Sequence, residues 1–204
     1  MLSDDSLVLN LETGAVSYTP GEAVEREIST NLVREIIDNE IDCEIAITAE
    51  QNGYSIPSFD NDGNLISTKI EFNPNFTINL WTTFDGEIGA KQSITPAFMI
   101  LGHEMVHTIR RMNGIVPDMR INGAFYLAPP IPGKSLGQRW KPEEIETTGI
   151  NYVKMTYDAN GGFASAIRVE ASNFYYSENA LRAEYDRVHQ NDSGYSPLGR
   201  RCIY

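Results

Sequence analysis

Apolar residues recur along the chain with two periods, and the switches between them lay out the elements. Residues 7–11 and 15–18 alternate as two short strands around Glu12-Thr13-Gly14. From Gly21 to about Asn39, Val24, Ile28, Leu32 and Ile36 recur at every fourth position, which predicts an amphipathic helix. Residues 43–48 alternate again as a strand. Asp60-Asn61-Asp62-Gly63-Asn64 reads as a hairpin turn joining a strand near Ser55 to one over 65–72. It resembles a calcium loop only loosely, without the full ligand spacing or the closing Glu. Residues 76–81 predict a further strand, with Phe76, Ile78 and Leu80 on one face.

A long helix comes next. Thr95 suits its N-cap, Pro96 its first turn, and Asn113-Gly114 its exit. Phe98, Leu101, Met105, Ile109 and Met112 fall on one side of the wheel, with His103 and His107 nearly opposite. Residues 115–140 read as one long connection containing Pro117, Pro129, Pro130 and Pro132, either lining a cleft or packed as an irregular loop. A helix starts at Lys141-Pro142 and is expected to run to about residue 157, with Gly149 inside it as a kink or close-packing point. Ser177 caps a last helix over 178–189, and residues 194–204 are expected to be irregular. A small sheet and then helices make an α+β arrangement. The chain is read as one domain over 1–204, with a helix and small sheet in 1–90 and the site-bearing helices and tail in 95–204.

The formal net charge of −12 argues against nucleic acid and anionic membranes as partners, because both repel such a surface. No apolar run is long enough to span a bilayer. The start lacks the basic and apolar regions of a cleavable signal peptide, so export is expected by another route. Cys43 and Cys202 do not make a disulfide framework or a cysteine metal cluster; a reduced cytosolic working environment fits best, and Cys202 reads as a small packing residue.

The candidate chemistry lies in Leu101-Gly102-His103-Glu104-Met105-Val106-His107. On a helix, His107 sits only about 40° round from His103 and one turn along, so the two imidazoles can share a divalent ion such as Zn2+. Glu104 lies beside them, where a carboxylate can hold the attacking water. The alternative is a pair of ordinary helix histidines, solvated or hydrogen-bonded. Catalytic zinc keeps three protein ligands. His189 is a poor third candidate near the end of an exposed-looking helix, and Asn113 stands where a metzincin has its third histidine. Further along, the chain carries the acidic segment Glu143-Glu144-Ile145-Glu146-Thr147-Thr148-Gly149.

That segment resembles the third-ligand helix of the clostridial neurotoxin light chains, and Arg201-Cys202-Ile203-Tyr204 resembles their R-x-x-Y. All three elements, with Ser177-Glu178-Asn179-Ala180-Leu181-Arg182, occur in order in the NleD-like family of bacterial effector metallopeptidases, which this chain resembles over about residues 98–204. The resemblance implies a zincin-like metallopeptidase domain of the gluzincin type. It implies His103, His107 and Glu144 as ligands of one zinc ion, Glu104 as general base and later general acid, and Arg201 and Tyr204 as donors to the oxyanion. Glu143 and Glu178 either orient a histidine or Arg201, or are solvated surface carboxylates. A free carboxylate beside the Tyr204 phenol departs from the family pattern.

The implied function is a zinc endopeptidase, monomeric, delivered into a host or target-cell cytosol to cleave a specific protein. NleD-like relatives imply a MAP-kinase activation loop as substrate. Two rivals stand beside it: the C-terminal toxic protease of a larger delivery protein, and a non-catalytic binding protein whose zinc only braces the fold.

Overall fold

The computed structural model describes residues 3–21, 25–50, 53–115, 124–127, 137–157, 160, 162–170 and 175–203. The N-terminal alternation forms a hairpin of β1 (Ser6–Leu9) and β2 (Val16–Thr19). The fourfold spacing forms α1 (Glu27–Ile37), shorter than the span expected, with part of that span (residues 22–24, hence Val24) outside the described residues. Its start is set from a distance. Arg26 at the N-cap offers no side-chain acceptor, and the Glu184 carboxylate instead accepts from the Ile28 amide at 2.6 Å and the Ser29 amide at 2.9 Å. These amides would otherwise be orphaned in the first turn.

Next come β3 (Asp42–Ile47), β4 (Tyr54–Phe59) and β5 (Leu65–Phe72), in sheet order β3-β5-β4, parallel between β3 and β5 and antiparallel between β4 and β5. The hairpin turn forms as predicted, with Asp60 Oδ1 accepting from the Asp62 and Asn64 amides. On β5, Thr68, Ile70 and Phe72 are buried while Ser67, Lys69 and Glu71 face outward. β6 (Ile78–Thr83) lies two residues beyond the span expected, so Phe76 precedes the strand. It pairs with β7 (Lys91–Thr95), a polar strand not expected from its pattern.

The central helix, α2 (Ala97–Met112), begins one residue later than expected. Pro96 is the N-cap, and the Thr95 hydroxyl accepts from the Arg182 guanidinium at 2.6 Å instead of capping. Residues 115–140 are not one irregular connection, since they contain β8 (Ala124–Leu127) and β9 (Gly137–Trp140), an antiparallel pair; residues 116–123 and 128–136 lie outside the described residues. The helix at Pro142 is also shorter than expected. α3 (Pro142–Thr148) stops at Gly149, and β10 (Tyr152–Tyr157) and β11 (Phe163–Val169) come after it as a hairpin in the sheet β11-β10-β8-β9. Gly149 is a left-handed cap at φ 78°, not a kink inside a helix, and a Cβ there would lie 2.4 Å from Ser177 Oγ. α4 (Glu178–His189) has the predicted bounds, with Ser177 Oγ accepting from the Ala180 amide. The tail is not wholly irregular: β12 (Arg200–Ile203) pairs antiparallel with β6.

The main core gathers Leu32, Val33 and Ile36 of α1, Ile70 and Phe72 of β5, Met99, Met105, Val106 and Ile109 of α2, and Leu181 of α4. Each such side chain contributes about 1.5–3 kcal/mol when fully buried. This core clamps α2 between the β3-β5-β4 sheet and helices α1 and α4. A second cluster of Ile145, Tyr152 and Cys202 ties α3 to β10 and β12. Cys202 packs there as expected, its thiol pushed up to about 11 by burial. Both cysteines are free, and no helix among the described residues is long and apolar enough to cross a membrane.

Gly149→Ala should lower unfolding stability by about 2 kcal/mol, combining the left-handed backbone penalty with the clash against Ser177. Urea unfolding measures it, and a variant as stable as wild type would contradict the cap geometry.

Candidate metal centre

The i, i+4 spacing on α2 brings the two imidazoles together at 80° between ring planes, with His103 Nε2 and His107 Nε2 3.1 Å apart. Both are buried, at 6% and 4% exposure. α3 crosses beside them and supplies a carboxylate: Glu144 Oε2 is 3.5 Å from His103 Nε2, and Glu144 Oε1 is 3.5 Å from His107 Nε2. One ligand atom from each of the three residues lies within 4.8 Å of the others, so this group could hold a metal ion.

The far nitrogen of each imidazole is also engaged. His103 Nδ1 lies 2.9 Å from Glu178 Oε2, and His107 Nδ1 lies 3.0 Å from Glu143 Oε1 and 3.2 Å from the Thr147 hydroxyl. An ionised carboxylate only accepts, so a proton on Nδ1 faces each glutamate, and the Nε2 atoms are left to face Glu144. Three potential ligand atoms then face one another beside the open cavity. A divalent cation satisfies all three at once, and the donor set fits zinc, with two nitrogens and one oxygen.

A ring of arginines steadies the carboxylates. Glu178 is 1% exposed and meets Arg182 Nε at 2.7 Å and Arg201 Nη1. Arg182 in turn donates to the Leu198 carbonyl at 3.2 Å. Glu143 accepts from Arg111 Nη2 at 2.6 Å, and the same guanidinium donates to the Ser55 carbonyl at 2.8 Å. Glu146 pairs with Arg110 and accepts from the Tyr152 hydroxyl, so α3 is pinned to α2 at two places. A buried pair of this kind, once one partner is removed, leaves a charge that costs about 3–5 kcal/mol.

Protonation is set by these contacts. Burial works against a charged His103, but hydrogen bonds to Glu144 and Glu178 outweigh it and raise its pKa from 6.5 to about 9. Burial likewise works against ionised Glu144 and Glu178. The two histidines hold Glu144, and Arg201, Arg182 and His103 hold Glu178, well below the usual carboxylate range. Glu143 is lowered by its bond to His107 despite burial.

The three-residue group opens on a cavity of about 340 Å³ shared with Glu104, Glu178, Arg111 and Arg201. Glu104 is packed under the chain just before β4: a Cβ on Gly53 would stand 3.1 Å from Glu104 Cγ and 3.0 Å from Ile100 Cγ2, so only a bare backbone fits there without displacement. Arg201 reaches the cavity because β12 pairs with β6 and because Asn179 holds its backbone on both sides, accepting from the Arg201 amide at 2.7 Å and donating to its carbonyl at 2.9 Å. Six of the predicted site residues, His103, Glu104, His107, Glu144, Glu178 and Arg201, thus line one cavity, and Glu143 stands behind His107. Neither Glu143 nor Glu178 is a solvated surface carboxylate. Tyr204 lies outside the described residues. His189 contacts Asp192 and Arg26 instead of the site. Sequence reasoning did not reach Arg111, Thr147 or the Arg110–Glu146 pair. Arg111 comes four positions after His107 and so shares its helix face, the one signal that would have pointed to it.

The α+β fold and this two-histidine, one-carboxylate group on facing helices define a protein with a candidate metal centre that opens on a cavity. The chain belongs to the effector-protein family Peptidase_M91, whose model matches residues 22–192. It is therefore a peptidase of an effector family. No curated protein and no solved structure matches it.

Metal uptake should be proton-coupled. In the metal-free protein His103 is protonated below pH 9 and loses that proton as the pH rises through about 9. A metal must displace the proton, so apparent affinity for zinc should climb about tenfold per pH unit from neutrality and level off above it. Competition with a chromogenic chelator tests this; a flat profile from pH 7 to 9 contradicts it.

Proposed function

We propose that the cleft is the active site of a zinc-dependent endopeptidase of the gluzincin type, formed within a single domain that works as a monomer. One observation carries this reading: the Nε2 atoms of His103 and His107 and the carboxylate of Glu144 converge where Glu104 and Arg201 open on the same cavity.

Bound zinc supplies Lewis acidity, which lowers the pKa of water and polarises a carbonyl. The residues of the chain do the rest. Glu104, the neighbour of His103 on α2, takes a proton from the attacking water and returns it to the leaving amine. Arg201, held by Glu178, donates to the oxygen that gains negative charge as the carbonyl becomes tetrahedral. Tyr204 is assigned the second donor to that oxygen. Glu143, Glu178 and Thr147 fix the imidazole tautomers, and such partners typically carry about 10–100-fold of metal affinity or activity.

The effector family supports a protein substrate met inside another cell. We assign delivery without a cleavable signal peptide, action in the host cytosol, and a narrow target; the resemblance to NleD-like proteins points to a MAP-kinase activation loop. A purely bracing role for the metal is disfavoured by Glu104, since a structural site has no use for a general base facing an open cavity.

Glu104→Gln should keep zinc stoichiometry and melting temperature while lowering turnover by about 10²–10⁴-fold. His103→Ala should lose the metal. N-terminal labelling of host lysate treated with each protein reads out the new termini; equal cleavage by wild type and Glu104→Gln, or full zinc content in His103→Ala, overturns the proposal.

A further inference from the structure

The cleft has an apolar wall that the core does not use. On β6, alternate side chains share a face, and burial falls along it toward the start of the strand: Thr82 is fully buried, Leu80 is 7% exposed and Ile78 is half-buried, as is Phe76 just ahead of the strand. The face runs out of the interior into the cavity but stays apolar. Ile100, one turn before the first histidine on α2, completes the strip, and all four apolar residues line the cavity with His103, Glu104 and Glu144. Among the described residues, none of the four belongs to either apolar core cluster. The cross-strand neighbours of Ile78 and Leu80 on β7 are Thr95 and Ser93, so no apolar partner stacks on them from that side. Phe76 and Ile78 therefore keep large hydrophobic side chains half-exposed at the mouth of an open, highly charged site, with Leu80 buried behind them.

We infer that this strip is the subsite for the side chain adjoining the scissile bond, and that it selects a large apolar residue, aliphatic or aromatic. The inference rests on the peptidase reading above. Contiguity with Glu104 and Glu144 puts any peptide held at the centre within one side chain's reach of the strip. Acidic side chains are disfavoured at the position because the strip itself offers them no hydrogen-bond donor or cation, and Arg111 and Arg201 of the same cavity are already paired with Glu143 and Glu178. Small polar side chains leave the strip wet and gain nothing from it. One methylene more or less in a hydrophobic pocket is worth about 10–200-fold.

Two measurements separate this inference from the reading beneath it. The first is calorimetric binding of N-acetyl amino-acid hydroxamates to the zinc-loaded protein, using leucine, phenylalanine, serine and aspartate forms. The leucine and phenylalanine compounds should bind about 10–100-fold more tightly than the other two, and Ile78→Ser should erase the difference at unchanged zinc content. Phe76→Ser, which lies ahead of the strand, should weaken it and guards against misfolding of the first variant. The second is digestion of a randomised peptide mixture by the zinc-loaded wild type, with products identified by mass spectrometry. Large apolar residues should be enriched on one side of the cut bond and acidic ones depleted there. Cleavage without that enrichment, or equal binding of the four hydroxamates, overturns the subsite and leaves the peptidase reading standing. Selective hydroxamate binding with no new termini in host lysate overturns the peptidase reading and leaves the apolar subsite.

Discussion

Two imidazole nitrogens and a carboxylate converge in a buried space where a single proton cannot satisfy all three. Everything around the centre answers to that crowding. The Nε2 atoms face each other because Glu178 and Glu143 hold the opposite nitrogens, and those glutamates are kept ionised by the histidines together with Arg201, Arg182 and Arg111. Isolated, each buried charge would be costly; linked in alternation, they offset one another. The chain as a whole is strongly acidic, yet it places its cations where the carboxylates are most deeply buried.

The scaffold serves the same constraint. α2 is held rigidly by the main core, so His103 and His107 have fixed positions. α3 is only two turns long and could not stand alone, but it is wedged by Ile145 from the second cluster, by Glu146 against Arg110, and by Gly149 packed on Ser177. The same Ser177 caps α4, whose next residue is Glu178. The stop of one helix, the start of another and the orientation of His103 are therefore linked through three residues. β12 adds Arg201 by pairing with β6, whose other positions supply the apolar wall.

Much of this is legible in the amino-acid order. Local signals work where structure is local: the α2 wheel, the Ser177 cap with the full span of α4, the hairpin at Asp60, and the pairing of His103 with His107. Glu144 is legible only through family resemblance, because nothing in composition ranks it above Glu143 or Glu146. Geometry separates the three, sending Glu144 to the metal-binding group, Glu143 behind His107 and Glu146 to Arg110. The failures are non-local. β7 and β12 carry too few apolar residues to announce themselves and exist because β6 offers both its edges. α3 reads as long because Gly149 looks tolerable inside a helix until Ser177 arrives from elsewhere in the chain. The helix α1 begins where it does because Glu184, distant in sequence, accepts its first amides.

The claim on which the rest depends is that Glu144 completes the metal grip begun by the two histidines. Zinc affinity of Glu144→Ala against wild type, by chelator competition at one pH, tests it most directly. Second-sphere changes cost about 10–100-fold, so loss of a direct ligand should exceed about hundredfold, while His189→Ala should bind as wild type does. Wild-type affinity in Glu144→Ala would contradict the account.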